Sequence, residues 1–532
     1  KLRSLYAVYA RMFRERMGAA RERAIKAKIV VVFESMDVMK EWLVASLIRM
    51  GSTKMPAIAT VPHEIVLEIT RLATLRDSIA LLTTCKALYE LYEARPFWMD
   101  QILRLKQRLN PLLSYHVGSL AIEELKSIAR NPYILETAIQ RKEVRLSYHG
   151  QLETPRSTDY RDARIVPGGR WLLTLSFEID TQEVPIEFHP FLRAWSIGPP
   201  VPNSPHCVAS LKLRPDSMPL ELCLQPGNSA SDLLVLVNCF LSTSPSHGSY
   251  LQVLHIDMAD ESPQFTLLAH QQTDRFCSGM GVEGQNLVAT FSNQGRDFSE
   301  ALIWDWRCDE NVSVRSPNAA GMLWFMAVSR DLITAWNSDT RCIEVHEPSP
   351  SGAYERVRNH APRSTPHQED GETQSGQSIV STVIEPWNSS RDLDQVALAH
   401  LEEETLRIDM ENLGAGRIRF TSYPKDNTYM QDPHDVSSPY GNGIEVLSDC
   451  VRTASDHLLD LSFSGRLTLY LTPEGGSEVG ECISYGVYDT ELDDTTADGL
   501  VSDERFAFIC PFSGIVGSVS EAGHLFIWQL EL

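Results

Sequence analysis

The feature that most constrains the fold of this chain is a change in hydrophobic period near Val144. Before this point, apolar residues recur three and four positions apart, which is the spacing of one helix face. After it, short alternating apolar runs are separated by Gly, Pro, Ser and Asn, as in strands joined by turns. The sequence therefore predicts an α+β protein in which a short helical part precedes an all-β domain over residues 144–532.

Aromatic residues flanked by aliphatic ones recur along the β part, at Trp195, Trp304 and Trp528, with Tyr470 as a weaker member. A period of roughly 40 to 60 residues is typical of four-stranded propeller blades with some longer loops. A domain of this size accommodates six or seven such blades, so a six- or seven-bladed β-propeller is the predicted architecture. A position that repeats within a strand serves packing between blades, and we expect these tryptophans to be core residues.

The helical part divides into three segments by pattern. Residues 1–54 form a helical extension, residues 55–110 a compact helical module, and residues 111–143 a helical linker. Within the β domain, residues 348–377 contain almost no large apolar side chains. A segment of that composition buries too little surface to offset chain entropy, so we expect a disordered insert there.

Charge and cysteine usage exclude several classes of function. The net charge is −22, although the first 54 residues carry 12 Lys and Arg against 5 Asp and Glu. An acidic body of this kind disfavours nucleic acid as a partner. No apolar run reaches the roughly 18 residues of a membrane span, so we expect no membrane association. The ten cysteines are scattered without a Cys-x-x-Cys pair, which predicts no metal site and a reducing compartment, cytoplasmic or nuclear.

The helical module carries a recognisable motif. Val61-Pro62-x-Glu64-Ile65 is followed by Ile69, Leu81-Leu82, Cys85-Lys86 and Phe97-Trp98. This series resembles the F-box, the adaptor-binding motif of substrate receptors in cullin-RING ubiquitin ligases. In the β domain, Val166-Pro167-Gly168-Gly169 and the residues up to Leu173 resemble the start of a WD-like propeller blade in fungal F-box proteins.

The resemblance implies a set of partners and contact residues. The partners are the ligase adaptor of the S-phase kinase-associated protein type, a cullin reached through that adaptor, and a protein substrate held by the propeller. The residues expected to bind the adaptor are Val61, Pro62, Ile65, Ile69, Leu72, Leu81, Leu82, Cys85, Lys86 and Trp98. Residues that bind the substrate are not identifiable from one sequence, because propeller specificity lies in loops of unknown spatial order.

The sequence does not support a catalytic or nucleotide-binding motif. Residues Gly279 to Gly284 fit G-x-G-x-x-G, but a strand-like run follows instead of the helix that would face a pyrophosphate, so we interpret them as a turn. The sequence has no Gly-Lys-Ser/Thr loop, His-Glu-x-x-His or Gly-x-Ser-x-Gly motif. We therefore expect no cofactor and no enzymatic activity of the chain itself.

Three hypotheses follow, and each makes a different structural prediction. A ligase substrate receptor leaves Pro62, Ile65, Ile69 and Leu82 exposed in the isolated chain. An adaptor-independent interaction scaffold, in which the helices only cover the β domain, buries these residues. A propeller enzyme requires acidic or histidine side chains that converge on a polar central pocket.

Overall fold

The fold is described from a computed structural model of the chain. The structure describes residues 63–109, 117–141, 143–152, 158–166, 168–180, 187–197, 205–227, 232–241, 248–258, 263–283, 286–291, 300–315, 323–328, 333–337, 342–348, 354–360, 380–383, 395–400, 404–411, 417–424, 451–452, 458–461, 466–471, 481–486, 504–520 and 525–531. The chain divides into two compact units, Lys1–Phe97 and Trp98–Leu532. The extension over residues 1–54 lies outside the described residues, and the segment bounds expected from the sequence remain a prediction.

The described helices all precede the strands. They are α1 (His63–Leu72), α2 (Leu75–Leu82), α3 (Lys86–Tyr92), α4 (Arg95–Leu109) and α5 (Ile122–Arg141), with a 3₁₀ turn at Val117–Ser119. Helix α2 begins after Thr74, whose hydroxyl oxygen accepts a hydrogen bond from the Asp77 N–H at 3.1 Å. The same hydroxyl donates to Asp77 Oδ2 at 2.9 Å, so the Asp77 carboxylate orients the hydroxyl that caps the helix.

In the part of the chain that the structure describes, twenty-eight strands follow, and they form seven four-stranded antiparallel sheets. Sheet 1 contains β2 (Thr158–Ile165), β3 (Trp171–Asp180), β4 (Glu187–Ser196) and β5 (His206–Lys212). Sheet 2 contains β6 (Ser217–Pro226), β7 (Asp232–Leu241), β8 (Ser249–Asp257) and β9 (Thr266–Thr273). Sheet 3 contains β10 (Cys277–Glu283), β11 (Asn286–Phe291), β12 (Glu300–Asp305) and β13 (Glu310–Arg315).

The remaining sheets continue in chain order. Sheet 4 contains β14 (Leu323–Val328), β15 (Ile333–Asn337), β16 (Cys342–Pro348) and β17 (Tyr354–His360). Sheet 5 contains β18 (Val380–Val383), β19 (Gln395–His400), β20 (Glu404–Glu411) and β21 (Arg417–Pro424). Sheet 6 contains β22 (Val451–Arg452), β23 (Leu458–Leu461), β24 (Arg466–Leu471) and β25 (Glu481–Gly486).

Sheet 7 joins the two ends of the β region. It contains β26 (Glu504–Cys510), β27 (Ile515–Ser520) and β28 (Leu525–Glu531), and its fourth strand is β1 (Arg145–Gln151). Strand β1 pairs antiparallel with β28, with Arg145 opposite Glu531. The β region thus begins and ends in one sheet.

Neighbouring sheets contact one another chiefly through their first strands. Strand β6 contacts both β2 and β10, and β26 contacts β2. Further contacts join β14 to β18, β21 to β25, and β23 to β26. Apolar clusters fill the junctions: Leu173 and Leu192 of sheet 1 pack with Leu224 and Val235 of sheet 2.

Helix α5 packs on the β region through one apolar face. Leu135 and Ile139 lie in one buried cluster with Leu469 of sheet 6 and Val516 of sheet 7. Asn131 on the same helix donates a side-chain hydrogen bond to the Phe512 carbonyl at 3.0 Å. The segment expected to be a linker is therefore part of the folded core of its unit.

The recurring aromatic residues occupy equivalent places, as the sequence predicted. Trp195, Trp304, Tyr470 and Trp528 each lie on the third strand of their sheet, counted from β2, β10, β22 and β26 respectively, and each is buried. Trp195 Nε1 donates to Thr174 Oγ1 on the neighbouring strand at 2.9 Å, which satisfies its polar group. These side chains are core residues.

Two sequence expectations need correction. Residues 354–360 form strand β17 inside the segment expected to be disordered, because pairing with β16 supplies backbone hydrogen bonds that composition does not reveal. The G-x-G-x-x-G segment is not a turn over its length, since Cys277–Glu283 form strand β10, paired with β11. Residues 361–377 of the expected insert lie outside the described residues.

Candidate functional site

The residues expected to bind the adaptor are distributed between surface and core. Lys86 is exposed, and Ile69, Leu81 and Cys85 are half-buried. Leu82 and Trp98 are both 0% exposed. Val61, Pro62 and the side chains of Ile65 and Leu72 lie outside what the structure describes.

Solvent exposure decides which of these residues can contact a partner in this conformation. Leu82 and Trp98 are core side chains and offer no surface to a partner unless the helices rearrange. The burial of Leu82 agrees with the scaffold hypothesis rather than with the receptor hypothesis, and half-buried Ile69 favours neither. Contact of this set with an adaptor remains a prediction.

Helix α3 presents an exposed face of which the sequence predicted only Lys86. Lys86, Tyr89 and Glu90 are exposed and lie three and four positions apart, which places them on one face of the helix. The Tyr89 ring is 46% exposed and stacks on Tyr92 with ring centroids 5.4 Å apart. An exposed aromatic residue beside charges of both signs is typical of interface anchors.

A second group of polar residues lies where sheet 1 meets sheet 2. Asp162 on β2 accepts a hydrogen bond from the Leu222 N–H of β6, with Oδ2 2.7 Å from the nitrogen. Arg164 donates from Nε to the Leu222 carbonyl oxygen at 3.2 Å and lies 3.3 Å from Asp162 Oδ1. One buried ion pair thus satisfies both backbone groups of a residue in the neighbouring sheet.

Glu221 performs a similar role where sheet 2 meets sheet 3. Its carboxyl group accepts a hydrogen bond from the Met280 backbone of β10. Burial raises the pKa of Glu221 to about 8, and the nearby Asp162 carboxylate adds to the rise. Burial likewise raises the pKa of Asp162, whereas Arg164 and the Leu222 N–H oppose that rise.

The two carboxyl groups occupy equivalent positions, set by a β-bulge. Register shifts occur between Tyr160 and Asp162 in β2, and between Pro219 and Glu221 in β6. Each acid directly follows its bulge. Asp162 corresponds to Glu221 of the next sheet and bonds to the residue after it, Leu222; Glu221 in turn corresponds to Gly279 and bonds to the residue after it, Met280. A bulge re-aims the side chain that follows it, which explains why both acids point across a sheet junction.

Strand β10 has a bulge at the equivalent place, but glycines occupy the positions of the acid and the arginine. Its register shifts between Cys277 and Gly279, so Gly279 corresponds to Asp162 and Glu221. Gly281 corresponds to Arg164, and a Cβ added there would meet nothing within 4 Å. The carboxyl bridge is therefore present at two successive junctions and missing at the next.

A further buried ion pair lies within sheet 1. Arg193 donates from Nη2 to Glu178 Oε1, and its guanidinium lies over the Phe191 ring, 4.3 Å from the centroid. Burial raises the pKa of the neighbouring Tyr160 above its ordinary value. All of these groups are in one sheet and face its packing interior, so they stabilise the sheet rather than form an accessible site.

The chemistry available to these groups is structural. The carboxyl groups of Asp162 and Glu221 are engaged by backbone N–H groups, and no nucleophile paired with a base lies beside them in the described residues. Across the same residues, no cluster of three or more His, Cys, Asp or Glu could hold a metal ion. Nor does any helix found there have the length and apolar character needed to cross a membrane.

Comparison with known proteins adds little to this geometry. No family model and no curated protein matches the chain. A solved structure, the periplasmic gluconolactonase PpgL of Pseudomonas aeruginosa, matches with 12% sequence identity and a TM-score of 0.36. The match covers 61% of this chain and 84% of that one. A likeness of this size carries no argument about function.

Proposed function

We propose that the β region is a seven-bladed propeller whose last blade is completed by β1. Support comes from seven four-stranded sheets in chain order and from contacts between the first strands of neighbouring sheets. The pairing of β1 with β28 brings the two ends of the region into one sheet, which removes two open sheet edges. Class averages from electron cryomicroscopy test the proposal: a ring of seven blades is expected, and an open arc contradicts it.

We further propose that this protein is a substrate receptor of a cullin-RING ubiquitin ligase. The observation that carries the proposal is the F-box-like series from Val61 to Trp98, which falls on four short helices with an exposed face on α3. In this module Ile69 and Leu81 are only half-buried and Tyr89 is 46% exposed, which leaves apolar surface for a partner. The propeller would hold the protein substrate, and ubiquitin transfer would belong to other subunits.

Co-purification of the full chain with the ligase adaptor and cullin tests this function. We expect the wild-type chain to retain both proteins, and Pro62→Ala/Ile65→Ala to lose them while the β region stays folded. Lys86→Glu should also weaken retention, because it reverses a charge on the exposed face of α3. Arg76→Glu, an equal charge reversal at an exposed position of α2 outside the motif, is the matched control and should bind normally.

An adaptor-independent scaffold is the alternative function. The complete burial of Leu82 favours it, because a residue that belongs to the core of the isolated chain is unavailable to an adaptor. If a folded wild-type chain retains neither adaptor nor cullin, the receptor proposal fails and the scaffold remains. Retention that Pro62→Ala/Ile65→Ala leaves unchanged would contradict the assigned contact residues.

A further inference from the structure

The outer strands of the described sheets differ in how regularly they pair with their neighbours. In each sheet the outer strand ends the sheet order opposite the first strand; these strands are β5, β9, β13, β17, β21, β25 and β1. A β-bulge interrupts the pairing of β1, β5, β9 and β17, whereas β13, β21 and β25 pair without a register shift. Because a bulge protects an edge from unwanted pairing, only the three regular strands offer a flat edge to another strand.

Neighbouring elements and protective residues account for two of these three strands. Strands β21 and β25 contact each other, and helix α5 also contacts β25. Strand β21 carries Arg417 and Arg419 and ends at Pro424, and charges and proline both discourage pairing at an edge. Strand β13 (Glu310–Arg315) has its main contacts with β12, and no other described strand pairs with it.

Both faces of β13 are exposed to solvent. Successive residues of a strand point to opposite faces, and both Asn311 and Val312 are exposed, the latter at 42%. Glu310 and Ser313 are exposed as well. At these positions the described part of the chain covers neither face of the strand, so a strand added at this edge would be the element that covers Val312.

The hairpin that presents β13 is fixed by its turn. The Trp304 indole, which is 1% exposed, donates from Nε1 to Asp309 Oδ1 at 3.1 Å. The Asp305 carboxylate accepts a hydrogen bond from the Arg307 N–H at 3.2 Å, and Asp309 has a φ angle of 57°. These bonds order the edge before a partner arrives, which lowers the entropic cost of binding.

The sequence of β13, ENVSVR, is self-complementary in one orientation. If two copies pair antiparallel about a twofold axis between Val312 and Ser313, Glu310 of each copy lies opposite Arg315 of the other. Two opposite-charge pairs then flank four neutral residues, and opposite charges across a strand pair are stabilising. Parallel pairing would place like charges opposite each other, and any shifted antiparallel register would separate Glu310 from Arg315.

We propose that β13 is the edge through which two copies of this chain associate. Sheet 3 of one copy and sheet 3 of the other would continue into one antiparallel sheet, related by a twofold axis. The complementary ends of the strand set both the partner and the register, because each copy supplies the acid and the base that the other needs. The proposal holds whether or not the helical module binds an adaptor.

The net charge of the chain limits the strength of this association. Two bodies of net charge −22 repel each other at long range. At an ionic strength of about 0.15 M the Debye length is about 8 Å, so most of that repulsion is screened. Residues opposite each other on paired strands lie about 5 Å apart and still interact. We therefore expect a reversible dimer at physiological salt.

Sedimentation velocity of the full chain over a range of concentrations tests the proposal. We expect a monomer–dimer equilibrium at about 0.15 M salt. Hydrogen exchange of residues 310–315 should be slower at concentrations where the dimer predominates. This protection is measured on the wild-type chain and locates the contact without any substitution.

Charge reversal at the two ends of β13 tests the register. Glu310→Arg places two arginines opposite each other at both ends of the pair, and Arg315→Glu places two glutamates there. Each variant should weaken dimerisation by at least about tenfold. An equimolar mixture of the two variants restores both opposite-charge pairs, so it should form a heterodimer with a Kd within about threefold of the wild-type value.

Matched controls separate this edge from other parts of the chain. Glu481→Arg is the same charge reversal at the exposed first position of β25, another outer strand without a bulge, and should leave dimerisation unchanged. Pro62→Ala/Ile65→Ala should also leave it unchanged. A failure here is therefore distinguishable from a failure of the ligase proposal.

Several results would overturn the proposal. They are a monomer at every concentration, a Glu310→Arg dimer as strong as that of the wild type, and a mixture that associates no better than either variant alone. A wild-type dimer that leaves residues 310–315 unprotected would assign the association to a different surface. Recovery in the mixture would show that neither variant lost association through misfolding.

Discussion

At two successive junctions, between sheets 1 and 2 and between sheets 2 and 3, a carboxyl group of one sheet bonds to the backbone of the next. The residues around that carboxyl group differ between the two junctions. At the first junction, Asp162 accepts the Leu222 N–H, and Arg164 lies two positions further along the same strand. At the second, Glu221 accepts a bond from Met280, and the position that corresponds to Arg164 is Cys223. Asp162 thus has an ion-pair partner on its own strand, whereas Glu221 has none on β6 and interacts with Arg164 across the junction.

The comparison shows how both carboxyl groups depend on the Arg164 guanidinium. A buried carboxylate with a guanidinium and an N–H as partners tolerates its negative charge. Burial and the Asp162 carboxylate raise the pKa of Glu221 to about 8, and Arg164 on the neighbouring strand opposes that rise. Burial thus raises the pKa of both acids, and Arg164 opposes the rise in each case.

The largest effect is expected from removal of the cation at the first junction. Arg164→Met leaves the Asp162 carboxyl buried without its partner and the Leu222 carbonyl without a donor. We expect the free energy of unfolding to fall by about 3–5 kcal/mol in urea denaturation at pH 7. Asp162→Asn/Arg164→Met removes both charges and should recover much of the loss, whereas equal stability of Arg164→Met and wild type would contradict this account.

A smaller effect is expected from pH at the second junction. In the folded chain the Glu221 carboxyl keeps its proton up to pH about 8, whereas in the unfolded chain it loses it near 4.5. The folded state binds the extra proton in this window, so stability should fall as pH rises from 4.5 through 8. Because Glu221 is half-buried, we expect a fall of about 2 kcal/mol rather than the full value for the shift.

The variant Glu221→Gln tests the assignment of this pH dependence. Its side chain is neutral at every pH, so its stability should change less between pH 4.5 and 8, and it should exceed wild-type stability at pH 9. Urea denaturation at four pH values measures both slopes. Identical slopes for the two proteins would show that another group is responsible.

The smallest effect is expected where the series of bridges ends. Gly281→Ala adds a methyl group that faces open space, and the alanine reduces the freedom of the unfolded chain. We expect a gain of about 0.4–1 kcal/mol in the free energy of unfolding. Gly169→Ala is the contrasting control: the φ angle is +72° and the added Cβ would lie 1.9 Å from Ser513 Oγ, so that variant should lose stability. A loss of stability in Gly281→Ala would mean that the space beside Gly281 is already filled.

The sequence predicted much of the fold because local patterns suffice for it. The series of short strands that it predicted after Val144 is present, since alternating apolar residues identify a half-buried strand without further information. The burial of Trp195 and Trp304 also followed from their repeated position. Strand β17 was missed, because its sequence is polar and its stability depends on pairing with β16.

The candidate sites were less predictable. The bridges of Asp162 and Glu221 connect residues about 60 positions apart, and nothing in the local sequence of β2 indicates which backbone group Asp162 will meet.

By itself, the sequence determined a helical start, a long series of strands, a recurring aromatic core position and a motif that resembles the F-box. These depend on residues close together in the chain, for which period and spacing carry the information. The tertiary structure decided which strand joins β28 and which backbone groups the Asp162 and Glu221 carboxyl groups meet. These depend on residues far apart in the chain, and only packing brings such residues together.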